Sequence, residues 1–380
     1  MLIGSGPASI AAAQEIRAAQ PGASITVVSA EREGYYSRPG LAYYLAKELP
    51  ENRLFPLSAE EFAEFRLTFV HARAGEIRRA ESTVLLEGGG TLPYDRLLLA
   101  TGSAAVPLGM PGTHLDGVVK LDDLAEARDI LNRARRAKNA VVVGGGITAL
   151  EIAEGLRARG LRVHYLMRKD RYWGDVLSEA ESHLVEAGLE ARGIQLHSHS
   201  ELAEVLGDGG RVRAVQLTDG TRLPCDILGA AIGVRPRIRL AKDAGLACER
   251  GVLVDEHMRT SDERIFAAGD IAETMHPQSG KRTLEVLWNS AVEKGHVAGH
   301  AMAEGPAQPY MHPLALNITR VGGYRTTIIG AVGRGSDPDV EALSRGDSET
   351  WRGAADVSMH EWAGPETHVR LALAGERIVG

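Results

Sequence analysis

The chain has 380 residues, which is enough for two or three domains of ordinary size. Hydrophobic residues make up 44% and charged residues 24%, a composition that excludes a disordered chain. Two cysteines exclude a disulfide scaffold, and a net charge of −7 argues against a general nucleic-acid binder. The 44 glycines exceed the usual share of about 7%, so many of them must serve turns or close backbone approaches.

The ends of the chain bear on its location. No run approaches the ~18 consecutive apolar residues of a membrane span. The uncharged start, residues 1–13, lacks the positive segment of a signal peptide and is interrupted by Gly4, Gly6 and Pro7. We therefore expect a cytoplasmic protein without a membrane span. Only three residues precede the first glycine and the end stops in strand-like sequence, which is consistent with a fragment or a misplaced start.

The first predicted element is a short strand that leads into a glycine loop and an alanine-rich helix. The loop, Gly4-Ser5-Gly6-Pro7-Ala8-Ser9, is one substitution away from the dinucleotide fingerprint G-x-G-x-x-G/A. Gly4 would make the tight turn, and Gly6 would let the backbone approach a pyrophosphate at the helix N-terminus. Glu31, just past the second predicted strand, is placed to accept ribose hydroxyls. Taken alone, the segment is equally compatible with a plain glycine turn and a surface glutamate.

A second strand, loop and helix follow about 140 residues later. The charge-free run 139–143 enters Gly144-Gly145-Gly146-Ile147-Thr148-Ala149, which again has the fingerprint spacing. Two such units predict two dinucleotide sites, or one cofactor and one co-substrate. Arg168 and Lys169 stand where an acidic residue would follow the next strand, which favours the 2′-phosphate of NADP over the hydroxyl of NAD. The alternative is that both are solvated surface charges.

Two further segments read as strands that run into turns. Leu97–Leu99 precede Ala100-Thr101-Gly102, and an apolar strand over 265–268 precedes Gly269-Asp270. Asp270 could accept a hydrogen bond from a cofactor hydroxyl at the mouth of a helix. By themselves these segments are also what connecting loops look like.

Together these elements resemble the flavoproteins with two dinucleotide-binding domains, the pyridine nucleotide–disulfide reductase superfamily. The first loop, Tyr94-Asp95 with Ala100-Thr101-Gly102, the second loop, Gly233-Val234-Arg235-Pro236 and the 260–270 stretch stand in the order of that family. The resemblance covers roughly residues 1–300. It implies an α/β fold with two Rossmann-like domains. An FAD domain, 1–105 and 227–303, would be split by an NAD(P) domain, 106–226, and followed by a small, truncated α/β C-terminal domain, 304–380.

The resemblance also implies which residues bind the cofactors, FAD and the co-substrate NAD(P)H. Glu31 would hold the adenosine ribose of FAD, Asp270 the ribityl chain, and the helix that begins near Trp288 would face the flavin pyrimidine. The remaining implied positions are Gly4, Gly6, Pro7, Ala8, Ser9, Arg38, Pro39, Ala100, Thr101, Gly102, Gly144, Gly146, Ile147, Thr148, Glu151, Arg168, Lys169, Gly233, Gly269 and Ala291.

The segment Tyr35–Leu41 resembles one branch of the superfamily, which contains rubredoxin and ferredoxin reductases and the flavin part of nitrite reductase. Disulfide reductases carry a cysteine pair in this region, and peroxide-reducing relatives carry one cysteine. This chain has neither, and Cys225 and Cys248 are interpreted as structural. Electrons would then leave the flavin without a protein thiol, for a small electron-carrier protein or a partner subunit. The chain itself is expected to be a monomer or homodimer.

In the ferredoxin-reductase branch a lysine pairs with a glutamate on the NAD helix and assists flavin reduction. The glutamate is present here as Glu151, but Tyr43 occupies the lysine position, with Lys47 one helical turn further on. Either Glu151 hydrogen-bonds Tyr43, or Lys47 replaces the missing lysine. A third interpretation is that Tyr43 only packs in the core.

Other readings of the chain remain open at this point. One is an NAD(P)H oxidase or quinone reductase that reduces a small molecule directly. Another is a flavoprotein redox sensor or scaffold with little turnover. His296 and His300 have the i, i+4 spacing of metal ligands, but no third ligand stands at motif spacing, so no metal is expected.

Overall fold

A computed structural model describes residues 1–174, 176–277, 280–305, 308–313, 316–330, 358–363, 368–374 and 377–378. The chain divides into two compact units. Unit 1 comprises Met1–Tyr36, Phe55–Ala104 and Arg235–Leu314, and unit 2 comprises Ser37–Leu54, Ala105–Val234 and Ala315–Gly380. Among the residues described, no helix has both the length and the apolar character that crossing a bilayer requires.

The helices and strands are numbered here in chain order. The α-helices are α1 Pro7–Ala19, α2 Gly40–Leu45, α3 Ala59–Glu64, α4 Leu124–Ala134, α5 Ile147–Ala158, α6 Glu179–Ala191, α7 Arg239–Asp243 and α8 Trp288–Met302. The strands are β1 Leu2–Ile3, β2 Ile25–Ser29, β3 Leu67–His71, β4 Ala74–Arg78, β5 Thr83–Leu86, β6 Thr91–Pro93, β7 Leu97–Leu99, β8 Ser103–Ala105, β9 Val118–Val119, β10 Asn139–Val143, β11 Arg162–Leu166, β12 Ile194–His197, β13 Leu202–Asp208, β14 Arg211–Leu217, β15 Arg222–Pro224, β16 Ile227–Ala230, β17 Val234–Pro236, β18 Val252–Leu253, β19 Ile265–Ala267, β20 Ala272–Met275, β21 Arg282–Leu284, β22 Leu316–Val321, β23 Tyr324–Ile329, β24 Ser358–Ala363, β25 His368–Ala374 and β26 Arg377–Ile378.

Unit 1 is built around a parallel sheet with the strand order β19-β7-β1-β2-β3. Its strands β1 and β7 are completely apolar, and Leu97, Leu98 and Leu99 are 0% exposed, as expected for parallel strands covered on both faces. Helix α1 follows β1 and presents buried alanines to α8. The antiparallel sheet β4-β5-β6 and the mixed sheet β18-β20-β21, in which β18 and β20 run parallel, complete this unit.

Unit 2 repeats the parallel arrangement with the order β12-β11-β10-β16-β9. The antiparallel sheet β13-β14-β15 shares a hydrophobic core with it, formed around Val141, Val215 and Leu228. The fragments described near the C-terminus are antiparallel strands, β22-β23 and β24-β25-β26. The predicted α/β fold with two dinucleotide-binding sheets is confirmed.

The unit boundaries add detail to the domain borders predicted from sequence. Strand β16, which begins at residue 227, lies inside the second parallel sheet, between β10 and β9. Residues Ser37–Leu54 belong to unit 2, although they precede most of unit 1 in the chain. Which cofactor each unit binds is not given by these boundaries and stays a prediction.

Candidate functional site: two glycine loops

The first glycine loop connects β1 to α1 and leaves open space at the start of the helix. Gly4 has φ +108°, and a Cβ there would lie 2.2 Å from the carbonyl oxygen of Ala100, so only glycine fits. Gly6 is the N-cap of α1, and a Cβ there would meet nothing within 4 Å. Pro7 occupies the first helical turn, where its missing N–H costs nothing. The loop therefore offers a backbone cradle to an anion.

Small side chains hold this loop in place and bring Glu31 to its side. The Ser5 hydroxyl lies 3.0 Å from that of Ser29, at the end of β2, and donates to the Gly34 carbonyl at 3.1 Å. The Tyr36 hydroxyl donates to Glu31 Oε2 at 2.7 Å. The glutamate carboxylate is thus oriented beside the loop. The roles of Ser5 and Tyr36 were missed from the sequence because nothing in the spacing marks them.

Gly269, Ala8 and Ala291 converge at the mouth of α1. A Cβ on Gly269, which has φ +77°, would lie 3.4 Å from Ala8 Cβ and 3.8 Å from Ala291 Cβ. The next residue, Asp270, accepts a hydrogen bond from the Ser103 hydroxyl at 2.6 Å. Ser103 directly follows the predicted Ala-Thr-Gly turn but was not singled out.

The other residues assigned to unit 1 lie around this mouth or at the ends of neighbouring strands. Trp288 is the first residue of α8, is 51% exposed and hydrogen-bonds Tyr35. Thr101 Oγ1 donates to the Arg237 carbonyl at 3.1 Å, and Arg237 N–H donates to the Gly102 carbonyl at 2.9 Å. These bonds hold the turn after β7 against the strand that returns to this unit.

The second glycine loop repeats the geometry of the first in unit 2. Gly144 has φ +146°, and a Cβ there would lie 2.1 Å from the Ala231 carbonyl oxygen. A Cβ on Gly145 would meet nothing within 4 Å, and Gly146 is the N-cap of α5 without a side-chain cap. Ile147 and Thr148 open the helix. Gly233, with φ +124°, accepts from Val106 N–H near the strand that follows.

Strand β11 ends at Leu166 and is followed by the buried Met167, after which Arg168 and Lys169 are exposed. This is the position at which a ribose of a bound dinucleotide is read in such folds. Arg168 forms no ion pair with any described carboxylate. Its guanidinium is available for a phosphate.

The residues expected to assist flavin reduction are separated within unit 2. Glu151 lies in the second turn of α5, while Lys47 lines a cavity with Arg128 and Arg159 near the other end of that helix. Tyr43 is 39% exposed, so the core-packing interpretation is wrong for this side chain. Among the described contacts, neither Tyr43 nor Lys47 pairs with Glu151. The catalytic role of these three residues stays a prediction.

Arg38 and Pro39 lie where the chain enters α2. Pro39 is the N-cap of that helix, and Arg38 Nη1 donates to the Asp122 carbonyl at 2.5 Å. Asp122 is 2% exposed, and its carboxylate accepts from Lys120 Nζ at 2.8 Å. Arg38 is thereby tied to a charged network in its own unit that the sequence did not reveal.

Both cysteine thiols are in environments that keep them protonated. Cys225 is 1% exposed, and burial raises its pKa to about 12. Burial also raises the pKa of Cys248 above its usual value. A thiolate is the reactive form of cysteine and neither cysteine is in a disulfide, so neither residue is suited to relay electrons.

His296 and His300 both face Glu15 on α1. His296 Nδ1 lies 2.9 Å from one carboxylate oxygen, and His300 Nδ1 lies 3.8 Å from the other. This contact is between histidine and carboxylate, and in the described part of the chain no group of three or more such side chains is arranged to hold a metal ion.

The first loop fits FAD on the evidence of its own geometry. The open space beyond Gly6 accommodates a pyrophosphate, and the buried Ser9 hydroxyl at the base of α1 has no hydrogen-bond partner among the described residues. Glu31 and Asp270 are oriented carboxylates on either side of the cradle. In the second loop a Cβ on Gly145, one residue before the N-cap of α5, would meet nothing within 4 Å, which leaves room for a nicotinamide nucleotide to approach.

Comparisons with known proteins agree with this geometry. The family model "Pyridine nucleotide-disulphide oxidoreductase" matches residues 1–300. The chain is 34% identical to the ferredoxin–NAD(+) reductase component of the biphenyl dioxygenase system of Paraburkholderia xenovorans, over 92% of this chain and 84% of that one. It is 30% identical to rubredoxin-NAD(+) reductase of Pseudomonas putida, over 78% of each.

A solved structure of a ferredoxin reductase has a similar fold. The ferredoxin reductase for the CYP199A2 system from Rhodopseudomonas palustris has a TM-score of 0.86 and 26% identity, covering 100% of this chain and 89% of that one. The chain belongs to the pyridine nucleotide–disulphide oxidoreductase family, in the branch of the ferredoxin and rubredoxin reductases.

Proposed function

We propose that the protein is an FAD-dependent oxidoreductase that takes hydride from NAD(P)H and passes electrons to a small redox protein. The observation that carries this proposal is the pair of open glycine loops, one on each parallel sheet. The names of its relatives, ferredoxin and rubredoxin reductases, support the same acceptor class.

In this proposal unit 1 binds FAD, which supplies the chemistry that links two-electron and one-electron transfer. The N-terminus of α1 and the backbone near Gly6 bind the pyrophosphate. Glu31, already oriented by Tyr36, accepts the adenosine ribose hydroxyls. Asp270, oriented by Ser103, accepts from the ribityl chain. The N-terminus of α8, at Trp288, places a partial positive charge toward the flavin pyrimidine.

Unit 2 binds the nicotinamide nucleotide in the same way, at the N-terminus of α5. The exposed Arg168 and Lys169 after β11 favour NADPH, because a guanidinium pairs with a 2′-phosphate. Glu151 is retained as the residue that assists orientation of the nicotinamide. These assignments rest on position in the fold and on charge.

The acceptor is external because the chain offers no thiol to continue the path. Cys225 is buried with a pKa of about 12, and the pKa of Cys248 is also raised. Two free cysteines and a negative net charge also fit a cytoplasmic protein, the location that we propose. Cell fractionation would test that location.

Anaerobic stopped-flow spectroscopy tests the function. FAD-loaded protein is mixed with NADH or NADPH, and flavin bleaching is followed near its visible absorption maximum. We expect bleaching within seconds, and turnover only when a ferredoxin or rubredoxin is added. Absence of bleaching would contradict the enzyme proposal. Rapid oxygen consumption without a carrier would instead favour the oxidase alternative.

A Gly144→Val variant distinguishes the role of the second loop from that of the first in this assay. It adds a side chain against the Ala231 carbonyl and should abolish flavin reduction while FAD remains bound. The Gly109→Ala variant is the control, because Gly109 lies in unit 2 outside the loop and an added Cβ there meets nothing within 4 Å.

A further inference from the structure

A cavity in unit 2 is lined by positive charge at the end of α5 opposite to the second glycine loop. It has a volume of about 610 Å³, within the range of small-molecule sites. Helix α5 has 12 residues, so its two ends are ~18 Å apart. The cavity is therefore separate from the predicted coenzyme site.

Four cations line the cavity, and three of them lack a carboxylate partner. They are Lys47, Arg128, Arg135 and Arg159. Arg128 pairs with Glu51 through two bonds of 2.7 and 3.2 Å, and this contact lowers the pKa of the Glu51 carboxyl. In the described part of the chain, no carboxylate lies within ion-pair distance of the other three. The lining carboxylate, Asp129, is bound by Arg133 at 2.7 Å.

Of the three cations without a carboxylate partner, Arg159 is the one whose side chain donates hydrogen bonds to described residues. Its Nε and Nη2 donate to the carbonyls of Leu45 and Tyr44 at 2.9 and 2.8 Å, which caps α2. Burial lowers the pKa of Arg159, because it removes water from the charged guanidinium. Helix capping thus explains why the guanidinium is held in place, but two carbonyl oxygens do not neutralise it.

Capping does not explain Lys47 and Arg135. Their side chains donate no hydrogen bond to any described residue, and both are exposed at the rim. Asn132 adds an amide donor to the same lining. Guanidinium groups with a free fork and an amide are the donors that bind phosphate groups in proteins.

We propose that this cavity binds a small phosphate-bearing anion, either a nucleotide or free pyrophosphate, at a site distinct from both glycine loops. Three uncompensated cations match an anion with more than one charge. The dimensions suit a ligand of that size rather than a protein surface.

Titration calorimetry with inorganic pyrophosphate tests the proposal. The FAD-loaded protein is saturated with oxidised coenzyme, so that both glycine loops are occupied. We expect one site per chain, with affinity that falls as salt is added. No measurable binding by the native protein would overturn the proposal.

Two double variants of equal charge locate the site. Asn132→Asp with Arg135→Gln places a carboxylate in the cavity and removes a cation, and should weaken binding at least about tenfold. Gln195→Glu with Arg136→Gln makes the same changes at exposed positions outside the lining, and should leave the affinity within about twofold. Equal weakening by both would overturn the proposal, because it would show a nonspecific charge effect.

Further ligands identify the source of the phosphate. ADP binding more tightly than pyrophosphate assigns the site to a nucleotide, and equal affinities assign it to the phosphate groups alone. Adenosine binding as well as ADP would overturn the proposal, because adenosine carries no charge. Blocking the glycine loops rests on the proposed cofactors, but none of these measurements requires electron transfer, so a failure of flavin reduction and a failure of anion binding are distinguishable.

Discussion

The two glycine loops differ in sequence, but the backbone of the first glycine is packed in the same way in both. In both, the first glycine packs against the carbonyl at the end of the neighbouring strand, 2.2 Å from Ala100 O for a Cβ on Gly4 and 2.1 Å from Ala231 O for one on Gly144. The open position differs, because a Cβ would meet nothing within 4 Å at Gly6, the third residue of the first loop, and at Gly145, the second residue of the second loop. The cradle is thus set by backbone contacts, whereas what it binds is decided by the residues around it.

The loops differ in how their helices are packed. In unit 1 the glycines belong to the partner helix, since a Cβ on Gly295 of α8 would lie 2.4 Å from the Ala8 carbonyl oxygen. In unit 2 the glycine is on the loop helix itself, since a Cβ on Gly155 of α5 would lie 2.7 Å from Leu45 Cβ of α2. Gly295 contacts the backbone of α1, whereas Gly155 contacts the Leu45 side chain. The contact at Gly295 can therefore relax less when a side chain is added.

Unit 1 also contains a buried ion pair at the start of α8. Glu285 and Lys294 are both 0% exposed, with Nζ and Oε2 3.1 Å apart. The Tyr310 hydroxyl donates to the same carboxylate at 2.8 Å, and His312 Nδ1 lies 3.3 Å from its other oxygen. Since α8 packs on the first loop helix, this cluster supports the first cradle.

The largest effect is expected from Glu285→Gln. The substitution leaves Lys294 buried without a countercharge, which costs about 3–5 kcal/mol in comparable sites. Urea unfolding should show this loss, together with weaker FAD retention, because α8 supports the first loop.

Glu293→Gln is the matched control on the same helix, since its side chain is exposed, and it should change stability by less than about 0.5 kcal/mol. A double variant, Glu285→Leu with Lys294→Met, should be more stable than Glu285→Gln alone. If Glu285→Gln unfolds like the control, the pair does not stabilise unit 1.

The packing difference predicts unequal effects from two glycine-to-alanine changes. Gly295→Ala brings a Cβ within 3 Å of three atoms of α1, two of them backbone, and should cost about 1–3 kcal/mol and release FAD. Gly155→Ala has one contact below 3 Å and should cost about 1 kcal/mol or less, with FAD retained. Thermal melts and flavin content measure both.

Gly22→Ala in unit 1 and Gly109→Ala in unit 2 are controls, since their added Cβ atoms meet nothing within 4 Å. Equal losses of stability for Gly295→Ala and Gly155→Ala would contradict the proposed difference in helix packing between the two units.

The ion pair between Glu285 and Lys294 also predicts that the stability of unit 1 depends on pH. Burial would raise the pKa of Glu285, but Lys294, His312 and Tyr310 outweigh it and lower that pKa to about 2. The folded-state pKa therefore lies below the ordinary value of 4.5, and the stabilisation is complete above that value. It is lost as the pH falls from 4.5 toward 2.

Urea unfolding at several pH values checks this sign. The stability gap between native protein and Glu285→Gln should be constant from pH 7 to 5 and narrow below pH 4.5. A gap that persists unchanged at pH 2.5 would be incompatible with the lowered pKa.

The sequence predicted the parts of the site that depend on local backbone. Gly4, Gly144 and the strands around them follow a fixed spacing, because each turn needs φ values that other residues avoid. The sequence alone therefore located both glycine loops and the strands that lead into them.

The rest depends on contacts between distant segments. Lys47 was one of two candidate partners for Glu151, but it lines a cavity with Arg159, at the far end of α5 from Glu151. Glu285 and Lys294 look like surface charges in the sequence, and only the packing of 308–313 and α8 shows that they are buried. Spacing along the chain carries no signal for such pairs.

The smallest effect concerns which coenzyme the second loop accepts. Arg168→Glu replaces a cation after β11 with a glutamate. Unit 1 has a glutamate, Glu31, after β2, so the substitution makes the two units alike at this position. A carboxylate repels a 2′-phosphate and accepts the ribose hydroxyls of NADH. We expect the NADPH to NADH ratio of kcat/KM for flavin reduction to fall about tenfold, equivalent to about 1.4 kcal/mol. Arg162→Glu, on an exposed residue at the other end of β11, is the control. A ratio that both substitutions leave unchanged would show that Arg168 does not read the ribose, and the difference between the two units would then lie elsewhere.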